Sequence, residues 1–177
     1  MKLSGNHRIG PETARLTMRA FEPTDAEAFF RLNSHPDVIR YTGEPACESV
    51  AAAKQGIENY PDWNQYGIGR WATVLKATGE IIGFAGFKYL PDFDEIDLGY
   101  RFLPQYWGQG LATEASQACL SYGFKTLGFK RIAGFTDSDN QASMRVLLKL
   151  GFVQQPPVMY DDELAEFFVL EAADYSK

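Results

Sequence analysis

Residues 105–115 read QYWGQGLATEA: an aromatic pair, two glycines one residue apart, then a run of helix-forming composition. Glycines that close together let a backbone bend sharply and let a ligand approach it without meeting a Cβ. A helix that begins at such a turn points unpaired N–H groups and the positive end of its dipole at whatever approaches. The expected guest is an anion.

Working outward, the turn follows a meander of GRWATVLK (69–76), EIIGFAGFKYL (80–90) and DEIDLGYRFL (94–103), joined at Thr78-Gly79 and Pro91-Asp92. The middle strand is apolar on both faces, as a central strand should be. Along the third, Ile96, Leu98, Tyr100 and Phe102 share one face and Glu95, Asp97 and Arg101 the other. After the turn, Leu111, Ala115, Ala118, Cys119 and Tyr122 form a helical stripe. A strand over 130–135, a helix capped at Asp139 or Asn140 and stopped at Gly151, and strands over 152–158 and 166–171 complete the chain.

Upstream, ARLTMRAF (14–21) alternates as a first strand, and Thr24-Asp25-Ala26-Glu27 reads as a capping box for a helix carrying Phe29, Phe30 and Leu32. A short helix from Pro36 toward Tyr41 and a longer one over 48–60, with Val50, Ala53, Ile57 and Tyr60 as its apolar stripe, precede Pro61. No repeat or linker divides residues 1–177, so one domain is expected. The order predicts a mixed α/β (α+β) layer: a mostly antiparallel twisted sheet of seven strands flanked by helices.

Composition narrows the function. A net charge of −6 argues against a phosphate-backbone footprint, so nucleic acid is not an expected partner. No apolar run suits a membrane span or a secretory leader, which points to a cytoplasmic protein. Cys47 and Cys119 lack CxxC spacing and read as buried reduced thiols, and with His7 and His35 they do not complete a metal site.

Three anion-binding patterns compete for the glycine turn. A Walker A loop requires a lysine after the last glycine, and none follows Gly110. A dinucleotide fingerprint requires a glycine where Thr113 stands and a first βαβ unit in place of a meander. The third is Q-x-x-G-x-G, with Gln105, Gly108 and Gly110 in register between strand and helix. Here the sequence resembles the GNAT superfamily of acyl-CoA-dependent N-acetyltransferases. LGYRFLPQYWGQGLATEA, the segment Thr13-x-Arg15-Leu16-x-x-Arg19 with Asp25-Ala26, and Asn140-x-x-Ser143-x-x-x-Leu147-x-Lys149-x-Gly151-Phe152 resemble its ribosomal-protein-alanine acetyltransferase branch.

The resemblance implies direct acetyl transfer in a ternary complex from acetyl-CoA, as cosubstrate, to a primary amine. Backbone N–H groups of Gly108, Gln109, Gly110, Leu111 and Ala112 would cradle the pyrophosphate behind Gln105. The strand before the loop would splay from its parallel neighbour, freeing N–H groups near Phe102 and Leu103 for the thioester carbonyl. Asn140 would bind the pantetheine and Ser143 would protonate the thiolate. Asp97, where the branch often carries Glu, or Glu95 would accept the ammonium proton or orient the amine. Both carboxylates could instead pair with Arg101 or a neighbouring strand.

The acceptor, a peptide N-terminus or a small amine, is expected near Tyr41, Trp63, Tyr66 and the turn at Tyr160-Asp161-Asp162-Glu163. A catalytically silent acyl-CoA-binding module is the other function class compatible with the loop. A homodimer formed through late strands is also expected.

Overall fold

The computed structural model describes residues 3–175, in which a single sheet runs through the molecule in the order β1-β2-β3-β4-β5-β6-β8-β7. The strands are β1 (Ile9–Glu12), β2 (Leu16–Arg19), β3 (Arg70–Leu75), β4 (Glu80–Leu90), β5 (Glu95–Phe102), β6 (Arg131–Asp137), β7 (Val153–Tyr160) and β8 (Glu163–Glu171). The helices are α1 (Ala26–Asn33), α2 (Pro36–Ile39), α3 (Val50–Glu58), α4 (Asp62–Gln65), α5 (Leu111–Lys125) and α6 (Gln141–Lys149). Every strand pair is antiparallel except β5 with β6. No helix of the described residues is long and apolar enough to cross a membrane.

The mixed architecture is as the sequence implies, with eight strands in place of seven. The addition is β1, an edge strand whose Gly10-Pro11 hides any alternation; a proline is tolerated there because an edge strand need not donate on both sides. The closing hairpin is longer than its periodicity suggests. Pro156-Pro157 sits on the outer edge strand β7 at a register shift, and Asp161 and Asp162, at φ 48° and 65°, form its two-residue turn.

The α1 start also differs from the reading. One 3₁₀ turn, Pro23–Asp25, precedes the helix, and Asp25 accepts from the Glu22 N–H at 2.8 Å while Arg19 pins it at 2.6 Å. The capping box therefore lies one turn earlier, between Glu22 and Asp25 around the 3₁₀ turn, and Asp25 makes no side-chain cap bond to α1 itself. Ser49 caps α3 by accepting from the Ala52 N–H, leaving Val50 exposed and outside the core. Pro61, expected only as a stop, opens α4.

Helices divide between the faces of the sheet. α5 covers the face carrying Phe87, Ile96, Leu98 and Ile132, burying Leu111, Ala115, Cys119 and Leu120 with them. α1 and α2 cover the other face, where Leu32 and Val38 meet Phe84. Cys119 is fully buried; Cys47 is half-buried, and both thiols are free.

Trp71 of β3 is fully buried, and its indole N–H donates to the His7 carbonyl at 2.7 Å, tying β1 to the sheet. Trp71→Ala should lower stability by about 3–5 kcal/mol through lost contacts and a residual cavity. Denaturant melts check this; a loss under about 1 kcal/mol would mean that Trp71 does not anchor the N-terminal edge.

Candidate functional site

β5 pairs with β4 along eight consecutive residues, Glu95 to Phe102, yet meets β6 at one registered Cα pair, Asp97 opposite Ala133. Beyond it the parallel strands part. The Leu103 N–H donates to the Ile82 carbonyl at 2.9 Å, so it is already spent and is not the free donor expected of it. By the alternation of an antiparallel ladder, the neighbouring Phe102 N–H turns away from β4 toward the opening. The Phe102 carbonyl accepts from the Trp107 indole at 2.7 Å, which fixes the strand's exit into the glycine turn.

In that turn Gly108 and Gly110 adopt φ of 72° and 75°, left-handed values that a residue with a Cβ resists, and a Cβ at Gly108 would meet open space. The constraint there is backbone conformation. Gly110 is the N-cap of the 15-residue α5, and no side chain caps that end, which leaves the N–H groups of Leu111 and Ala112 directed outward. Gln105 and Gln109 are exposed, and the Gln109 amide folds back onto the Gln105 carbonyl at 2.9 Å.

A brace from the N-terminus holds this turn. Arg15 donates to the Gln109 carbonyl at 3.0 Å and grips Glu114 at 2.6 Å, while Thr13 donates to the same carboxylate at 2.6 Å. Burial alone would raise the Glu114 pKa, but the hydrogen bonds from Thr13 and Arg15 hold it below the usual carboxylate range. Thr13, Arg15 and Glu114 all lie in the segments that carry the resemblance, yet nothing in their spacing announces that they meet.

Across the opening, Asn140 caps α6 by accepting from the Ser143 N–H at 3.1 Å. Ser143 is half-buried, and its hydroxyl lies 3.1 Å from the Tyr100 hydroxyl of β5. Burial pushes the Tyr100 phenol up to about 12, so it stays protonated at neutral pH. Sequence reading placed Tyr100 on the apolar face of β5 and missed its hydroxyl contact.

The opposite face of β5 carries the carboxylates. Asp97 is 7% exposed and pairs at 3.0 Å with Arg70 of β3, not with Arg101; Glu95 pairs at 2.9 Å with Arg131 of β6. Burial raises both carboxylates, opposed in each case by the neighbouring guanidinium. Arg101 instead bonds Asn33 and Glu44 at 2.8 and 2.7 Å. The Arg70 guanidinium lies flat on Gly99, where an added Cβ would stand 2.4 Å from Nη2. Arg70 was missed too, although a charged residue opening an otherwise apolar strand is a signal the sequence carries.

Over this face lies a cavity of about 560 Å³, roofed by α1 and α3 and floored by Arg70, Phe84 and Arg101. Trp63 lines it, but Tyr41 and Tyr66 do not. Tyr66 packs on Tyr89 instead, at 5.1 Å between ring centroids. Tyr160 stacks on Phe93, and a Cβ at Gly43 would come within 3.9 Å of the Glu163 carboxylate, so the β7–β8 turn reaches the loop beside the cavity.

The family described as "Acetyltransferase (GNAT) domain" matches residues 15–153. The chain is 38% identical over 146 residues to the uncharacterized N-acetyltransferase YoaA of Bacillus subtilis (strain 168), covering 81% of this chain and 82% of that protein. It is 24% identical over 163 residues to the spermidine N(1)-acetyltransferase of Escherichia coli (strain K12), covering 90% and 81%. Among solved structures, the acetyltransferase (GNAT family) from Bacillus anthracis superposes with a TM-score of 0.76 at 26% identity, covering 93% of this chain and 98% of that one.

The brace makes a pH prediction. Because the folded pKa of Glu114 is depressed, its stabilisation is complete above its unfolded value of about 4.3 and fades as pH falls through the lower folded value. Glu114→Gln should therefore melt below wild type at pH 7, with the gap narrowing as pH falls below the unfolded value of about 4.3. Thermal melts across that range check it, and a gap independent of pH would assign Glu114 a packing role only.

Proposed function

The chain belongs to the GNAT acetyltransferase family, and from this we propose that it moves an acetyl group from acetyl-CoA to a primary amine seated in the cavity over β5. One observation carries the reading. A single strand, β5, leads through the glycine turn to an uncapped helix N-terminus beside an open edge, while its other face carries buried Asp97 beneath a cavity. Two substrates can thus approach one strand from opposite sides and meet at its parted edge.

The turn suits a pyrophosphate: the Leu111 and Ala112 N–H groups are uncapped, and the approach over Gly108 is open. The Phe102 N–H is the backbone donor for a thioester carbonyl, and Asn140 retains its amide N–H₂ for the pantetheine arm. Acetyl-CoA supplies the acetyl group as an activated thioester.

Asp97 is the preferred carboxylate, since Glu95 faces Arg131 and Asp97 borders the parted edge. With Arg70 on one side, Asp97 receives the ammonium proton through water or holds the amine in line. Ser143, positioned by Tyr100, gives its proton to the departing thiolate. An amine on a small molecule suits the roofed cavity better than a chain terminus, and the spermidine-acetylating relative is an example of a small-amine enzyme. A second copy would pair along β7, whose edge exposes Val153 and Met159.

Release of the CoA thiol from acetyl-CoA, followed against an amine panel, tests the reading. Asp97→Asn and Ser143→Ala should each lower kcat on the order of 10²-fold, with KM for acetyl-CoA nearly unchanged. Full turnover in both variants would remove these residues from the mechanism.

A further inference from the structure

Resting on the acetyltransferase reading, we infer that the acceptor is a small amine that also bears a carboxylate, held on the Arg70–Arg101 wall of the cavity with its apolar body against the aromatic rings. The first ground is charge. In a protein of net charge −6, the charged side chains lining this cavity are Arg8, Arg70, Lys88 and Arg101 against Glu44 and Glu58. Glu44 is engaged by Arg101, and Glu58 lies 4.0 Å from Lys54. Lys88 has no ion pair among the described residues, although β-sheet register places it opposite Asp97. Arg70 is in turn engaged by Asp97, so Arg8 and Lys88 are the lining cations with no carboxylate partner among the described residues, and no lining carboxylate is left for the second ammonium of a polyamine.

The second ground is geometry. Arg70 and Arg101 both lie over the ring of Phe84, their guanidinium carbons 5.4 and 5.3 Å from its centroid. Burial lowers the Arg101 pKa; Glu44 opposes that shift, and repulsion from Arg70 adds the smallest contribution to it. Two like charges held over one apolar ring are relieved by an anion placed between them, and a carboxylate can take two parallel bonds from a guanidinium. Arg70 also holds Asp97, so the anion-binding wall adjoins the carboxylate assigned to the reacting amine. An acceptor carrying its amine and carboxylate close together would engage both. Phe21, Phe29 and Trp63 line the rest of the cavity, which favours an apolar side chain, and about 560 Å³ accommodates one small molecule.

The transfer itself is unaltered by this assignment. The amine nitrogen forms the new C–N bond as the C–S bond breaks, the amine proton passes to Asp97 or solvent, and CoA leaves as its thiol.

The test measures kcat/KM for L-phenylalanine and L-methionine against L-phenylalaninamide, phenethylamine and spermidine. Intrinsic chemistry opposes the expected result, since an amide's amine has the lower pKa and is more often unprotonated at pH 7.5. The free acids should nevertheless exceed the amide and phenethylamine by about tenfold or more, the effect of a charge-assisted contact. Arg101→Gln and the milder Lys88→Gln should narrow that preference by lowering activity on acids more than on amides. A turnover-free readout accompanies it: with CoA present, N-acetyl-L-phenylalanine should raise Tm and its amide should not.

Equal or better use of the amide, phenethylamine or spermidine overturns the carboxylate assignment while leaving the acetyltransferase reading intact. Variants that depress acids and amides alike overturn the role of this wall. If no acceptor releases CoA and no carboxylate raises Tm, both readings fall.

Discussion

β5 can complete its hydrogen-bond ladder with only one neighbour. Paired throughout with β4, it touches β6 at a single register point, and the backbone groups past that point need partners from elsewhere. Parallel strands that part in this way leave a slot lined by main chain, and the slot is where the molecule's polar features converge. The Trp107 indole takes one freed carbonyl, the Tyr100–Ser143 contact bridges the gap, and the α5 N-terminus opens beside it. Residues distant in sequence acquire a common purpose because one edge was left unsatisfied.

The far face of the same strand bears a second cost. Burying Arg70 with Asp97 removes two charges from water, and their attraction repays that only when the geometry is good. Gly99 makes the geometry possible, since any side chain there would occupy the place of the guanidinium. A packed apolar pair would serve stability as well or better, so the ion pair is best understood as a feature of the cavity floor. Arg70 and Arg101 share the ring of Phe84 on that floor, each with a carboxylate partner of its own.

The brace through Thr13, Arg15 and Glu114 joins the third part. A loop with two left-handed glycines is intrinsically loose, because glycine loses the most conformational freedom on ordering. Three side-chain contacts from the N-terminal segment, on the carboxylate one turn into α5 and on the Gln109 carbonyl, offset that freedom. The turn therefore keeps its shape through contacts made about a hundred residues away along the chain.

Local rules made much of this legible. The glycine turn, the helical stripe of α5, the meander and the two faces of β5 depend on periodicities of 3.6 and 2, which a sequence carries directly. So do the Asn140 cap and the family resemblance, which rest on short runs of neighbouring residues. Strand β1 and the full length of β7 were hidden by prolines tolerated only because those strands lie at sheet edges, a fact of position in the sheet. The pairing of Asp97 with Arg70, the loss of the Leu103 N–H to Ile82 and the cationic wall over Phe84 likewise appeared only on folding. The sequence by itself determined most of the elements, their order and the glycine turn, because each depends on residues close along the chain. Tertiary structure alone decided which charges meet and which donors stay free, because those depend on register between strands whose partners are tens of residues apart.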